Sequence, residues 1–266
     1  SPVETWIPAS NMSKEPVLKN MWSKNRKSKS PYKYSIGSMY NAMIHPIVNF
    51  ALAGVVWYQG EANVGRPEQY GDLFPALITD WRRQWRSDFP FYFVQLANFM
   101  ESKEIQPDSE WAALREAQTK ALKLDQVGMA VTIDIGLADD IHPKNKQEVG
   151  RRLALVALAG SYGKNVSGSA PVFRNYRIKG DKMELDFGQK QDGFQIKGTT
   201  LKGFTIAGPD RVFYPAEAMV QNGKIIVFSP EVSIPLAARY GWADNPDCNL
   251  YGENGLPVAP FRTDCW

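Results

Sequence analysis

The sequence has 266 residues, of which 44% are hydrophobic, so one large domain, or one domain with a smaller partner, can bury a core. The net charge of +3 is too small to indicate nucleic-acid binding. No apolar run approaches the length of a membrane-spanning segment.

The first 37 residues read as irregular chain because Pro, Ser, Asn and Lys are scattered through them. A basic run at 24–33 is better explained by a solvated loop than by an RNA contact. A helix is predicted from Ser38, bent at Pro46, and His45 is expected to pack within it. Its predicted apolar face comprises Met39, Met43, Ile47 and Phe50.

Strands and helices alternate over roughly 38–160. Predicted strands cover 54–58, 91–96 and 127–135, and the helices between and after them begin at Pro67, after a Ser109 cap, and at Lys144. This alternation implies a parallel sheet with helices on both faces. Ligands of such sheets bind outside the carboxyl ends of the strands.

The pattern changes after Gly160. Short alternating segments and the turn signal Asn222-Gly223 predict a small antiparallel β unit over about 170–236, followed by an extended, loop-rich tail. Cys248 and Cys265 lie in this tail. A disulfide between them would indicate an oxidising compartment, and two free thiols are the alternative.

The pentapeptide Asp139-Asp140-Ile141-His142-Pro143 carries the clearest chemical signal, because the chain holds only two histidines. A carboxylate three residues before a His, just ahead of a helix, can orient the imidazole and leave its second nitrogen free as a general base. Asp139 has this spacing, and Asp140 is the adjacent competitor. The alternative is a polar loop that caps the helix.

A second polar cluster, Gln59, Glu61 and Asn63, directly follows the predicted strand 54–58. The Gln59 amide or a backbone N–H there could stabilise an oxyanion, while Glu61 could fix those donors or hold the loop. The alternative is a strand-end turn whose polar groups satisfy the backbone. The second cluster and the segment with Asp139 and His142 both follow strands at the same edge of the predicted sheet. We therefore expect the two groups of residues to lie close together.

Many stretches of the chain, in a conserved order, resemble the sialate O-acetylesterase family, a branch of the SGNH-type hydrolases. They are SPVETW (1–6), MYNAMIHPIV (39–48), GVVWYQGEAN (54–63), LFPALITDWRRQW (73–85), FPFYFVQLANF (89–99), WAALREAQ (111–118), GMAVTIDIG (128–136), DDIHPKNKQEVGRRLA (139–154), RYGWADNP (239–246) and GLPVAPFRTD (255–264).

The resemblance implies an α/β fold with a flavodoxin-like parallel sheet and helices on both of its faces. The predicted small antiparallel β unit follows this domain in the chain. Residues 1–165 would form an SGNH-like α/β hydrolase domain, incomplete at its N-terminus. Residues 166–266 would form a C-terminal β-rich region with a loop-rich tail.

The implied activity is the removal of acetyl groups from sugar hydroxyls by a Ser-His-Asp acyl-enzyme mechanism, without a cofactor or a metal. His142 would be the base, Asp139 its orienting partner, Gln59 an oxyanion-hole donor and Glu61 its support. The matching blocks also contain Gln95, Asn98 and Arg115, to which no role is assigned. The expected partner is an acetylated carbohydrate, and the expected location is the periplasm, the cell exterior or a lysosome-like compartment.

The family's nucleophile lies in a Gly-Gln-Ser-Asn-Met block that precedes the point matching SPVETW. We therefore expect the serine on a separate N-terminal segment or chain, together with the first strand of the sheet, whose absence would expose a sheet edge. Ser10 lies in a partial echo of the block, Ala9-Ser10-Asn11-Met12, which lacks the preceding Gly-Gln and follows no predicted strand.

Other functions stay open at this point. The chain could be a non-catalytic glycan-binding module, or a structural subunit or fragment of such an esterase. A metal hydrolase that uses His142, Asp139, Asp140 and Glu61 is disfavoured, because hydrolytic zinc sites usually use two or three histidines.

Overall fold

A computed structural model describes residues 1–12, 19, 35–188 and 193–266, and the predicted basic run at 24–33 lies outside them. Within the described residues the α-helices are α1 (Ala9–Met12), α2 (Pro67–Trp85), α3 (Glu110–Thr119) and α4 (Lys146–Gly160). Shorter helical turns are the 3₁₀ segments Val3–Trp6, His45–Ile47, Glu61–Asn63 and Lys120–Lys123 and the π-helical segment Tyr40–Ile44. None of the described helices is long and apolar enough to cross a membrane.

The predicted parallel sheet is present, with strand order β1 (Val55–Trp57), β2 (Phe91–Val94), β3 (Val127–Ala130). Both pairings, β1 with β2 and β2 with β3, are parallel. Alternate residues of the fully buried strand β2 point to opposite faces. The Phe93 ring packs edge-on against Phe74 of α2 at 5.0 Å, whereas the Tyr92 hydroxyl bonds to Ser161, directly after α4, at 2.7 Å. Helices therefore cover both faces of β2.

Helices α2 and α3 begin where the sequence predicts, whereas α4 begins at Lys146, after an Asn145 cap, rather than at Lys144. Pro67 occupies the first turn of α2, where its missing N–H costs nothing, and Arg86 ends the helix in a left-handed conformation. Ser109 caps α3, since its Oγ accepts a hydrogen bond from the N–H of Ala112 at 3.0 Å.

The predicted apolar face of the segment after Ser38 is wrong. The buried residues of this segment are Tyr40 and Ile44, while Met43, Ile47 and Phe50 are 56%, 45% and 70% exposed. The segment forms one π-helical turn followed by a 3₁₀ turn, so a stripe spaced for a regular α-helix no longer faces the core. His45 is exposed rather than packed.

The C-terminal part is antiparallel, as predicted. Its strands are β4 (Asn175–Lys179), β5 (Lys182–Asp186), β6 (Phe194–Ile196), β7 (Phe204–Ala207), β8 (Phe213–Pro215), β9 (Glu217–Gln221), β10 (Lys224–Phe228), β11 (Ala237–Tyr240), β12 (Leu250–Gly252) and β13 (Phe261–Arg262). They form sheets of order β4-β5-β10-β9, β13-β11-β7-β8 and β12-β6. Asn222 and Gly223 both have positive φ in the predicted hairpin turn between β9 and β10.

The tail after residue 236 is more ordered than predicted. Strand β11 is buried along its whole length and pairs with both β7 and β13, so it shows no alternation that a sequence pattern could reveal. Leu256 and Ala259 pack into the apolar cluster of the parallel-sheet region rather than into that of the antiparallel sheets. The domain boundary at 165/166 stays a prediction.

Cys248 and Cys265 are free thiols, so the disulfide alternative is wrong for this structure. The Cys248 sulfur lies in a tight space, since a Cβ added to Gly203 would approach it to 2.9 Å. Burial raises the pKa of the Cys248 thiol to about 12, which keeps the thiol protonated and unreactive at neutral pH. Cys265 is exposed, near the end of the chain.

Candidate active site

The two polar clusters predicted from the sequence meet at one cavity. This cavity, of about 600 Å³, lies between the carboxyl end of β1 and the segment that joins β3 to α4. Its lining comprises Ser1, Trp6, Val56, Trp57, Tyr58, Gln59, Glu61, Ala62, Ile141, His142, Pro143 and Lys146. Gln59, Glu61 and His142 are therefore brought together, whereas Asp139 is not among the lining residues.

The side chain of Gln59 is held on all sides. Its Nε2 donates to Asn63 Oδ1 at 2.8 Å and to the backbone oxygen of Ser1 at 3.1 Å. Its Oε1 accepts from the hydroxyl of Tyr70 at 3.2 Å. Its backbone oxygen accepts from Nε2 of Gln118 at 3.2 Å. The carboxamide orientation is thus fixed before any ligand arrives.

A buried polar network anchors this turn to the start of the chain. Asn63, which is fully buried, accepts from the N–H of Val3 at 2.9 Å and donates through Nδ2 to Glu4 Oε2 at 3.0 Å. The other oxygen of Glu4 accepts from Arg66 at 2.8 Å. Each buried polar group therefore has a partner, which is the condition for a stable buried network. Sequence reasoning missed Glu4, although it lies in the SPVETW block.

Gly60 lies in a tight space beside the residues that follow β2. A Cβ at this position would lie 3.0 Å from Cγ of Leu96 and 3.1 Å from Nε2 of Gln118. A side chain at residue 60 would therefore force these neighbours to shift.

His142 presents the opposite picture, because its side chain is 85% exposed. Its backbone N–H donates to Asp140 Oδ1 at 2.9 Å, which is an Asx turn. The same oxygen lies 3.7 Å from the imidazole Nδ1, which is too long for a hydrogen bond. Asp139 is exposed and forms no hydrogen bond or ion pair with the imidazole within the described residues. The pairing of Asp139 with His142 stays a prediction.

The remaining charges at the cavity surround Tyr58. The ammonium group of Lys146 lies 5.0 Å from the centre of the Tyr58 ring, within cation–π distance. Burial, with the nearby Glu61 carboxylate as the second cause, raises the pKa of Tyr58 to about 12, so the phenol stays neutral. Glu61 thus acts on the cavity electrostatically, and its support of the oxyanion donors stays a prediction.

Comparison with known proteins decides the family. The family model described as carbohydrate esterase, sialic acid-specific acetylesterase matches residues 16–159, more than half of the chain. The chain belongs to this family.

Curated members and a solved structure extend the family match beyond that range. The sialate O-acetylesterase of Pongo abelii is 31% identical over 98% of this chain and 55% of its own length. That of Mus musculus is 32% identical over 87% of this chain and 47% of its own length. A crystal structure of a carbohydrate acetylesterase from Xanthomonas citri aligns over the whole chain with a TM-score of 0.88 and 41% identity, covering 59% of that protein. The chain spans about half the length of the curated relatives it matches.

The structure gives partners to Arg115, Gln95 and Asn98, three residues to which the sequence analysis assigned no role. Arg115, fully buried, donates to four backbone oxygens, those of Leu96, Ala97, Ala243 and Asp244. It thereby joins the end of β2 to the C-terminal tail. Burial lowers the pKa of Arg115 to about 9, which still leaves it charged at neutral pH. Gln95 donates to the backbone oxygen of Arg115 at 3.1 Å. The third residue, Asn98, contacts the loop that bears His142.

Two further possibilities from the sequence are a serine nucleophile within this chain and a metal site. Ser10 lies in α1 and is not among the residues that line the cavity. Ser1 does line it, and its Oγ accepts from Nε1 of Trp6 at 2.9 Å. The described residues contain no cluster of three or more His, Cys, Asp or Glu side chains that could hold a metal ion.

Proposed function

We propose that this chain supplies the proton-handling and oxyanion-binding part of a carbohydrate O-acetylesterase that removes acetyl groups from sugar hydroxyls. The observation that carries the proposal is that His142 and Gln59 line one cavity in a chain of the acetylesterase family. The names of the relatives, sialate O-acetylesterase and carbohydrate acetylesterase, support an acetylated carbohydrate as the substrate.

The proposed reaction is acyl transfer through an acetyl-enzyme. A serine hydroxyl attacks the acetyl carbonyl while His142 accepts the hydroxyl proton, and the tetrahedral oxyanion forms. As the bond to the sugar oxygen breaks, the imidazolium returns the proton to that oxygen. Water then attacks the acetyl-enzyme with the same proton relay, which releases acetate and restores the serine.

One side chain and one backbone group must move for this reaction. The imidazole of His142 turns towards Asp139, which then stabilises the imidazolium and leaves the other ring nitrogen free for the serine. The exposure of the His142 side chain allows this rotation. The Gln59 carboxamide keeps its orientation and its bond to Asn63, while the backbone oxygen of Ser1 leaves Gln59 Nε2 so that this amide can donate to the oxyanion.

We propose that a separate N-terminal polypeptide segment carries the nucleophilic serine and pairs with β1. Within the described residues β1 pairs only with β2, which leaves backbone N–H and C=O groups along its other edge for a further strand. Val56 in the middle of β1 is 66% exposed. Met43, Ile47 and Phe50, in the segment that precedes β1, are exposed apolar side chains as well.

A strand added in parallel to β1 would end at the same sheet edge as β1 itself. Its carboxyl end would therefore deliver the serine to the cavity lined by Gln59 and His142. The added strand would also extend the three-stranded sheet towards the flavodoxin-like arrangement that the family resemblance implies.

The test is hydrolysis of an aryl acetate and of an O-acetylated sugar by the full-length polypeptide that contains this chain. His142→Ala should lower kcat by at least about 10³-fold, and Gln59→Ala by on the order of 10²-fold. Ser10→Ala should leave turnover unchanged, because Ser10 lies outside the cavity. Wild-type turnover by His142→Ala would overturn the proposal.

Glycan binding without hydrolysis by the wild-type full-length polypeptide would identify the non-catalytic alternative, a binding module or structural subunit. The periplasmic, secreted or lysosome-like location stays a proposal. The free thiols of Cys248 and Cys265 give it no support.

A further inference from the structure

The segment between β3 and α4 carries Asp139 and His142, and its anchors come from other parts of the chain. We define residues 134–143 as the His142 loop. We propose that the C-terminal β-rich region positions this loop, through Asn245 and Asn98 at one point and through Tyr251 at another. The consequence for catalysis rests on the proposed function, whereas the anchoring of the loop does not.

Asn98 is the first anchor. It follows β2, and its Oδ1 accepts from the backbone N–H of Gly136 at 2.7 Å. The two backbones are in direct contact, since a Cβ at Gly136 would fall 1.9 Å from the backbone oxygen of Asn98. Only glycine fits there, so the position of Asn98 sets the position of the loop.

Asn245, in the C-terminal tail, holds Asn98 in turn. Its Oδ1 accepts from Nδ2 of Asn98 at 2.7 Å, and its own Nδ2 donates to the backbone oxygen of Met100 at 2.6 Å. The N–H of Met100 donates to the backbone oxygen of Ala138, one residue before Asp139, at 3.1 Å. One tail side chain is therefore linked to the loop at two places, through Asn98 to Gly136 and through Met100 to Ala138.

Asp134 is the second anchor, where the loop leaves the sheet. Its carboxylate accepts two hydrogen bonds from Arg152 of α4, at 2.6 and 2.9 Å, and one from the Tyr251 hydroxyl of β12 at 3.0 Å. Arg152 is 4% exposed and also donates to the backbone oxygen of Val131. This cluster ties the start of the loop to the helix that follows it and to the C-terminal sheet.

Burial, with Asp134 as a further cause, raises the pKa of Tyr251 well above its ordinary value, so its hydroxyl remains a donor at neutral pH. The loop is thus held near Gly136 and Asp134 by buried or half-buried groups, while His142 itself is exposed. A catalytic group must be held within roughly 0.5 Å of its productive position. A displacement of about 1 Å can cost on the order of 100-fold in rate.

The anchoring is tested by hydrogen–deuterium exchange of this chain, read from peptides that cover 134–143. Asn245→Ala should speed exchange of the Gly136 amide at least about 10-fold, because Asn98 loses the hydrogen bond that holds its side chain in place to accept from Gly136. Tyr251→Phe, which removes only the hydroxyl that donates to Asp134, should speed amide exchange at the start of the loop.

The matched control is Thr263→Ala. Thr263 lies in the same tail, and its Oγ1 accepts from the N–H of Ala238 at 2.9 Å, a bond that involves neither the His142 loop nor its anchors. Its loss should leave exchange of 134–143 unchanged. Equal exchange in Asn245→Ala and the wild type, or an equal increase in Thr263→Ala, would overturn the proposal.

The catalytic consequence is tested in the full-length polypeptide. Asn245→Ala and Tyr251→Phe should lower kcat by roughly 10- to 100-fold with KM changed less than about 2-fold. The pH midpoint of kcat/KM should stay the same, as expected for a positioning residue. An unchanged kcat together with faster exchange would show that the anchors do not serve catalysis. An inactive wild type would instead refute the proposed function and leave the exchange result to decide the anchoring.

Discussion

The two halves of the candidate active site are built in opposite ways. In the first half, Gln59 and Asn63 are buried, and their side chains hydrogen-bond to each other, to Tyr70 of α2 and to the start of the chain. His142 lies on a loop whose anchors are several residues away, and its own side chain is mostly exposed. The Gln59 side is therefore held in one orientation, whereas the imidazole of His142 can still turn. This is expected of a site that awaits another segment or a substrate.

The largest expected effect concerns the exposed half of the site, which carries His142. Asp139→Asn should lower kcat of the full-length polypeptide by on the order of 10³-fold, because the imidazole would lose its orienting carboxylate. Asp140→Asn is the matched control, since an Asn oxygen can still accept from the N–H of His142, and its kcat should change less than about 3-fold. Steady-state kinetics on an aryl acetate decide between them, and a larger loss in Asp140→Asn would assign the partner to Asp140.

The next effect concerns the buried half of the site, which carries Gln59 and Asn63. Asn63→Ala should destabilise the fold by about 2–3 kcal/mol, because the buried Glu4 loses a donor and the N–H of Val3 loses its acceptor. His142→Ala should change the free energy of unfolding by less than about 0.5 kcal/mol, since its side chain is exposed. Chemical denaturation of both variants measures the contrast. Equal changes in the free energy of unfolding would contradict the proposed contrast between a buried half and an exposed half of the site.

A smaller effect concerns the close approach at Gly60. Gly60→Ala should cost about 1–2 kcal/mol, because its Cβ would press on Leu96 and Gln118. Gly150→Ala in α4 is the matched control. No atom lies within 4 Å of its added Cβ, so the helical Ala should stabilise the protein by up to about 1 kcal/mol. Thermal melts of the two variants should therefore shift in opposite directions, and a shift of both in one direction would contradict the packing argument.

The smallest effect concerns the helix that follows the His142 loop. Hydrogen bonding to Arg151, followed by that to Arg152, lowers the pKa of Glu148 to about 2. A carboxyl whose pKa is lowered in the folded state adds stability above its unfolded value, near 4.3, and loses that stability as the pH falls towards about 2. Glu148→Gln should therefore cost roughly 1 kcal/mol at pH 7.

This difference between Glu148→Gln and the wild type should shrink between about pH 4 and pH 2. Urea denaturation at several pH values measures it. Glu68→Gln, at an exposed carboxylate of α2 that forms no ion pair among the described residues, serves as the control, and its cost at pH 7 should be smaller than that of Glu148→Gln. A constant difference across this pH range would contradict the argument.

The sequence by itself determined the order of strands and helices from Val55 to Gly160 and the two polar clusters. Both follow from local rules: apolar spacing, the Pro67 and Ser109 helix starts, and the fact that parallel strands place their carboxyl ends at one edge. The catalytic roles of Asp139, His142, Gln59 and Glu61 stay predictions.

Only the tertiary structure decided which face of the segment after Ser38 is buried, that β11 lies inside a sheet, and that Cys248 and Cys265 remain apart. The same is true of Glu4, Asn98 and Asn245, whose partners lie far away along the chain. Sequence periodicity reports only the local environment of a segment. A hydrogen bond between residues 147 positions apart depends on how the whole chain packs.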